Sequence, residues 1–297
     1  MAFTNPIKLV GGTGSPYTQK MVALLRYRHV PYQVVWGDPG QACSQLGVEA
    51  PKPVFMPTFF FTGDNGPIAE CDSTPIIRRL EQLFTGRSVL PNDPALAFID
   101  YLIEDFADEW CTKFMFHYRW YYGADIERAG AILPRWRDLT GTEDAIAPRS
   151  EKISRRQIDR LYVVGSNDTT APVIEGSYQR FLKLFRAHLT QGGFVLGRRP
   201  ASSDFALYGQ LTQLAAFDPT PMALTLSNEP QVYAWVGVVD DLSGADPTEA
   251  DWFDPTDLPN TLLDLLDEIG RTYVPVMLAN ARAIDQGIEE VNTEVEG

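Results

Sequence analysis

The sequence predicts an α/β domain built on a short mixed sheet, followed by an all-helical domain. Three observations predict it. Residues up to about 88 read in the order strand, helix, strand, loop, strand, strand, helix. A proline-rich break, Leu90-Pro91-Asn92-Asp93-Pro94, follows. Beyond the break, apolar residues recur at helical rather than alternating spacing. With 297 residues the chain can build two separate cores, and the boundaries expected are 1–88 and 94–297.

Each element has a local reason. Ile7-Lys8-Leu9-Val10 is a short buried strand, and Gly11-Gly12-Thr13-Gly14 is a turn. Ser15-Pro16 starts a helix, because Ser is a preferred N-cap and Pro suits the first helical position. That helix carries Met21, Val22, Leu24 and Leu25 and stops near His29, ahead of Pro31. Tyr32 to Trp36 is a second strand by its β-branched and aromatic content. Residues 37–52 read as a loop with room for a short helix. Thr58 to Thr62 and Pro67 to Glu70 are strands joined by a Gly63-Asp64-Asn65-Gly66 hairpin turn. Ser73 caps a helix with Ile76, Ile77, Leu80 and Leu83 on one face.

In the second domain the helices expected are Ala95 to about Tyr122, Ile153 to Val163, Val173 to Leu189, Ser203 to Ala216, Gln231 to Asp240, and closing helices over roughly Asn260 to Gly287. Gly192-Gly193 ends the third of these. A Pro/Asp/Gly-rich loop spans about Ser243 to Pro259, and a polar tail closes the chain.

Composition excludes several classes. The formal net charge is −14, and no Lys, Arg or His lies between Arg199 and Arg271. Such a surface repels nucleic acid and anionic lipid alike. No apolar run is long enough for a bilayer. The first residues lack a secretory pattern, so a reducing cytoplasm is the expected setting. Cys43, Cys71 and Cys111 are too few and too scattered for a disulfide framework or a zinc site, and no metal is expected. The basic stretch from Arg149 to Arg160 reads as a solvated helix face.

Three places could carry chemistry. At Gly14-Ser15-Pro16-Tyr17-Thr18, a hydroxyl and free N–H groups meet at the positive end of a helix. Such a site suits an anion. Ionising a thiol at neutral pH requires lowering its pKa by roughly two units, about 2.7 kcal/mol. A hydrogen bond to a charged group supplies roughly 1.5–3 kcal/mol, and the helix end about 0.3–1. A single Ser therefore suffices as a donor, although an ordinary N-cap explains the same residues. At Met56-Pro57, a proline entering a strand is the usual setting of a cis bond, which would turn the Met56 backbone outward. At Asp72-Ser73, carboxylate and hydroxyl at a helix start can hold an amino-acid head, with Asp72 taking the ammonium and Ser73 the carboxylate.

Taken together, strand, Ser-Pro-Tyr, strand, Pro, hairpin and Asp-Ser-Thr-Pro-Ile-Ile-Arg-Arg-Leu-Glu resemble the serine-type members of the glutathione transferase superfamily across the whole first domain. Residues Gly193 to Leu207, and Ala234-Trp235 after Pro230, look like the helical-domain signature of the same family. The resemblance implies a thioredoxin-like first domain and a glutathione-transferase-like helical second one. It implies glutathione as co-substrate, Ser15 as the thiol-activating residue, Pro57 as the cis-proline and Asp72-Ser73 as the γ-glutamyl clamp. Tyr17, Val54 and Met56 would flank the tripeptide. Trp110, Phe114 and Tyr118, at i, i+4 and i+8 on the long helix, would wall a pocket for a small apolar electrophile. A homodimer and a role in detoxification come with the family.

There are departures. Ala201 stands where the family has Ser or Thr three residues before Asp204, leaving a capping box incomplete unless Ser202 replaces it. Residues 123–170 and 242–297 have no clear family counterpart.

Rival readings are weaker. Gly12-Thr13-Gly14 begins like a dinucleotide fingerprint, but Tyr17 stands at the third glycine and a hairpin breaks the alternating βα order. None of the cysteines occupies the helix start, which disfavours thiol–disulfide exchange. His29, His117 and His188 read as surface or packing residues, and Asp105, Asp108 and Glu109 as a solvated face. A non-catalytic scaffold that binds a partner or small ligand is the main alternative to a transferase.

Overall fold

A computed structural model describes residues 6–63 and 66–295. The strands are β1 (Ile7–Gly11), β2 (Tyr32–Trp36), β3 (Thr58–Gly63) and β4 (Gly66–Glu70), in sheet order β2-β1-β3-β4. β1 and β2 are parallel, while β3 runs antiparallel to both β1 and β4. With α1 (Pro16–Tyr27), α2 (Pro39–Leu46) and α3 (Ser73–Leu83), this is the thioredoxin-like arrangement. The middle of the expected hairpin turn, Asp64-Asn65, lies outside the described residues, as does the start of the chain at 1–5.

The rest is helical: α4 (Pro94–Tyr121), α5 (Gly123–Ile132), α6 (Glu143–Ile158), α7 (Ala171–Gly192), α8 (Ser202–Leu214), α9 (Pro219–Asn228), α10 (Pro230–Val239) and α11 (Asn260–Asp285). α2 takes up the short helix for which residues 37–52 had room, because Asp38 caps it, with its carboxylate accepting from Gln41 N at 2.9 Å. Three helices depart from expectation. α5 occupies residues where no helix was expected. α6 starts ten residues before Ile153 and ends at Ile158, with a 3₁₀ turn over Leu161–Val164 after it. Its mean character is polar, with Ile146 its one buried residue, so apolar spacing could not reveal it. α9 was hidden by two prolines, which occupy its first turn, where they cost nothing.

One contiguous core joins the sheet, α1 and α3 to α4, α7, α8, α10 and α11. α8 is buried almost throughout and passes close to the start of α1. Gly209 is needed there: a Cβ would sit 2.4 Å from the Pro16 carbonyl oxygen. Residues 123–170 rest instead on a small second cluster of Trp120, Ala129 and Phe217, flanked by Leu133, Trp136 and Ile153.

The capping of α8 is half a box. Ala201 offers no side chain, and Asp204 accepts from Ala201 N at 2.8 Å and from Val195 N at 2.9 Å. Ser202 does not substitute as the cap. Its hydroxyl donates to Asp100 at 2.6 Å and Glu104 at 3.0 Å.

Candidate active site

The βα turn after β1 places Ser15 at the N-cap of α1, in extended conformation, with Pro16 fixing the first helical residue. Its Oγ accepts from Thr18 N at 3.3 Å and donates to the Met56 carbonyl at 3.4 Å. Both bonds are long, so the hydroxyl can be recruited by a better acceptor. The Met56–Pro57 peptide is cis, as is Lys52–Pro53.

The turn is clamped from behind. The buried Arg119 guanidinium donates to the Gly14 carbonyl at 3.1 Å, to both oxygens of Asp218 at 2.9 and 3.0 Å, and to Gln213 at 2.7 Å. Gln19 donates to the Thr13 carbonyl at 2.9 Å. Three helices therefore set where Ser15 stands.

At the other end of the groove Asp72 is exposed, and Ser73 is the first residue of α3. The cap of α3 is Asp72, not Ser73: its carboxylate accepts from Thr74 N at 3.2 Å. Asp72 holds φ at 85°, in the left-handed region that side chains disfavour. Such strain persists only where surroundings impose it, and it concentrates at ligand clamps.

Ser73 is buried in a network that sequence reasoning missed. Lys20, buried within α1, donates to Ser73 Oγ at 2.9 Å, Glu104 at 2.8 Å and Asp108 at 2.6 Å. Burial alone would lower the Lys20 pKa, but the two carboxylates outweigh it and raise it. Asp108 is thus not on a solvated face. It lies against the first domain, paired with a lysine 88 residues away in sequence. A lysine at the centre of an amphipathic helix was the available signal.

Ser15, Tyr17, Met56, Pro57, Asp72 and Ser73 line a single cleft of about 870 Å³. The Tyr17 hydroxyl donates to the Asp108 carbonyl at 2.7 Å and meets Thr112 Oγ1 at 2.9 Å, and burial pushes its pKa up. Val54 is not brought in. It is 44% exposed and outside the lining of the cleft.

The expected electrophile wall is on the wrong side of α4. Trp110, Phe114 and Tyr118 are 4%, 0% and 2% exposed, and they pack toward α7 against Tyr178, Phe181 and each other. Trp110 Nε1 donates to Ser177 there. An i, i+4, i+8 aromatic stripe buries more apolar area in the core than in a cleft, and the core took it. The face of α4 turned to the cleft is polar at one end, with Asp105, Glu109 and Thr112, and aromatic at the other, with Phe116 and Trp120.

The opposite wall comes from residues 123–170. Leu133, Trp136, Arg137, Ile153, Gln157 and Arg160 line the same cleft as Ser15. The contact is direct. A Cβ on Gly14 would lie 2.3 Å from Leu133 Cδ2 and 3.1 Å from the Trp136 ring.

Residues 9–88 match the family model described as the glutathione S-transferase N-terminal domain. The match covers the first domain, which is similar to the N-terminal domain of the glutathione S-transferases. Among solved structures it is similar to a glutathione S-transferase from Methylobacterium radiotolerans in complex with glutathione sulfonate. They share 18% identity over 84% of this chain and 94% of that one, at a TM-score of 0.49. It is similar too to the tau class enzyme MiGSTU from mango, at 17% identity over 88% and 97% with a TM-score of 0.46. FzlA from C. crescentus follows at 14% identity over 78% and 86%, with a TM-score of 0.48. A search among curated proteins returned no significant match.

Other clusters lead nowhere catalytic. His117 meets Ser166 Oγ at 2.8 Å and Glu175 at 3.1 Å, the order of a hydrolase triad. Ser166 is buried and lines none of the cavities described, so the trio ties the end of the 123–170 segment to α4 and α7. His188 is likewise a buried packing residue. Cys43, Cys71 and Cys111 are free. Among the described residues there is no group of ligands for a metal, and no helix long and apolar enough to cross a membrane.

Proposed function

We propose that the cleft binds glutathione with its sulfur at Ser15 and its γ-glutamyl head at Asp72-Ser73, and transfers the thiolate to an electrophile with an apolar body. The observation that carries the reading is the placement of Ser15. It is partly exposed at a helix N-cap, with Pro57 across the groove and the strained Asp72 at the far end of the same cleft. The relative from Methylobacterium radiotolerans binds glutathione sulfonate in its crystal.

In this reading Ser15 holds no proton of the reaction. It donates one hydrogen bond to the thiolate in place of the long bond to Met56 O, and the N-terminus of α1 adds its partial positive charge. Met56 offers its backbone to the cysteinyl residue. Asp72 takes the α-ammonium, and the Ser73 hydroxyl, oriented by Lys20, takes the carboxylate. The thiol proton leaves to water and the sulfur attacks the electrophilic carbon.

The division at 1–88 and 94–297 belongs to the proposal, since the cleft runs along it. So does a homodimer: Phe98 and Tyr101 stand 65% and 48% exposed on α4, an apolar surface a second copy would cover. A cytoplasmic, detoxifying role follows from the same reading.

Calorimetric titration with glutathione tests the site, and turnover of a panel of electrophiles tests the chemistry. Binding with conjugation supports a transferase. Binding without turnover of any electrophile would leave the scaffold reading standing. Absence of glutathione binding would end the transferase reading.

A further inference from the structure

The cleft is charged in opposite senses at its two walls. Asp72, Asp105, Asp108 and Glu109 line the side formed by α3 and α4; its cations are Arg119, paired with Asp218, and Lys113, which donates to the Val164 carbonyl, while Asp108 is answered by Lys20. The side formed by residues 123–170 carries Arg137, at the end of the 3₁₀ turn Arg135–Arg137, and Arg160, just beyond α6. Neither guanidinium has an ion-pair or hydrogen-bond partner among the described residues.

Acidic residues outnumber Lys and Arg by 39 to 25. Arg128, Arg156 and Arg282 likewise show no carboxylate partner among the described residues, but three neighbours of Arg137 and Arg160 do. Arg135 pairs with Glu143 at 2.6 Å, Arg149 with Asp138 at 2.8 Å, and Arg155 with Glu151 at 2.6 Å. Two unanswered guanidinium groups from separate turns of one segment border the same cavity. The same cleft carries apolar surface from Phe116, Leu133, Trp136, Ile153 and Val163, with Leu133 and Trp136 against Gly14 beside Ser15.

We infer that the second substrate is an aromatic electrophile bearing a carboxylate, with its ring on the Leu133–Trp136 surface and its carboxylate at Arg137 and Arg160. This rests on reading the cleft as a glutathione-transferase site. The acidic wall supplies the complementary half of the selection, because an anion is repelled from Asp72, Asp105 and Glu109 and does not compete for the glutathione end. Arginine suits the task, since its planar fork matches a carboxylate and its face tolerates an aromatic neighbour. The product keeps this carboxylate, so raised salt weakens both substrate and product at this wall.

The test uses 4-chloro-3,5-dinitrobenzoate and its neutral carboxamide with the full-length protein and glutathione. In each case the glutathione sulfur bonds to the ring carbon bearing chlorine, chloride departs with the C–Cl electron pair, and the thiol proton goes to solvent. Rates are compared with those of the uncatalysed reactions. The expected result is a preference of about tenfold in kcat/KM for the carboxylate over the amide, the scale of two partly solvated ion pairs. That preference should collapse toward unity in R137Q/R160Q, return largely in R137K/R160K, and shrink with added salt, while calorimetry shows unchanged glutathione affinity.

Equal acceptance of carboxylate and amide by the unmodified protein would overturn the inference, as would a preference that survives R137Q/R160Q. Loss of glutathione affinity in R137Q/R160Q would assign the arginines to the tripeptide and overturn it as well. Where neither compound is turned over, 3,5-dinitrobenzoate and its amide are titrated calorimetrically. Binding of the carboxylate alone, abolished in R137Q/R160Q, supports the inference, and equal or absent binding refutes it. Failure of the glutathione reading is distinct from all of these, because it appears as no heat with glutathione itself.

Discussion

The two walls of the cleft are built differently. The wall that carries Ser15, Pro57 and Ser73 grows out of the main core, where α1, α4 and α8 meet the sheet and Lys20 binds two carboxylates out of water. The wall formed by residues 123–170 leans on Trp120, Ala129 and Phe217 and is dressed with exposed ion pairs. A side chain in the first wall is coupled to the stability of the whole molecule. One in the second is coupled mainly to what enters the cleft. Under the proposed function, the half rooted in the main core suits a co-substrate that never varies, and the lightly anchored half suits the partner that does.

The sharpest way to break this comparison is to remove Lys20. Lys20→Met leaves Glu104 and Asp108 buried without their cation, which should cost roughly 3–5 kcal/mol. Urea denaturation reads it. Disrupting the exposed Arg135–Glu143 pair with Glu143→Gln should cost under about 1 kcal/mol by the same measurement. Equal costs would erase the distinction between the walls.

Ser15→Ala should raise the pKa of bound glutathione by about one to two units, the scale of a lost hydrogen bond to a charged sulfur. Thiolate absorbance against pH reads it. The N-cap loss adds about 0.5–2 kcal/mol of destabilisation, visible in unfolding.

Acidity separates the interior from both walls. Burial pushes Asp204 up to about 8, against the pull of the Ala201 and Val195 N–H groups, and pushes Asp100 up to about 6, against that of the Ser202 hydroxyl. Because the folded chain then holds protons that the unfolded chain has released, stability from these groups is full below about 4 and declines as pH rises from about 4 to 8. Unfolding free energies across that range should fall, and Asp204→Asn should flatten the upper part of the decline. A rise with pH unaltered by Asp204→Asn would contradict the assignment.

On the insertion side, Trp136→Ala should raise KM for an aromatic electrophile by about five- to tenfold, the scale of one exposed ring contact of about 1 kcal/mol. Glutathione affinity should stay within about twofold, which calorimetry checks. The smallest effect is expected at Asp72. Replacing it by Gly relieves the positive φ while losing a cap for which Gly substitutes at a few tenths of a kcal/mol, so stability should hold or rise by up to about 1 kcal/mol. Glutathione affinity should fall several-fold at the same time. A variant that lost stability and kept its affinity would show Asp72 to be only a cap.

What was legible in the sequence was local. A hydroxyl before a proline starts a helix whatever surrounds it, so Ser15 was found, and a proline at the head of a strand marked Pro57. Strand order in the first domain was legible for the same reason, since alternation, turns and caps act over a few residues. The helix of residues 143–158 escaped because few of its side chains are buried, and periodicity records only burial.

Tertiary structure decided the rest. Apolar spacing showed that Trp110, Phe114 and Tyr118 share a face of α4, but which neighbour that face meets depends on α7, some 60 residues on. Asp108 read as a surface charge until the fold set it, with Glu104, against Lys20. The pairing of Gly14 with Leu133 and Trp136 likewise joins segments more than a hundred residues apart. Capping and turn chemistry are written residue by residue, because their partners lie within one turn of the backbone. The orientation of a helix and the lining of a cleft are set by burial summed over distant elements, and no short stretch of the chain contains that sum.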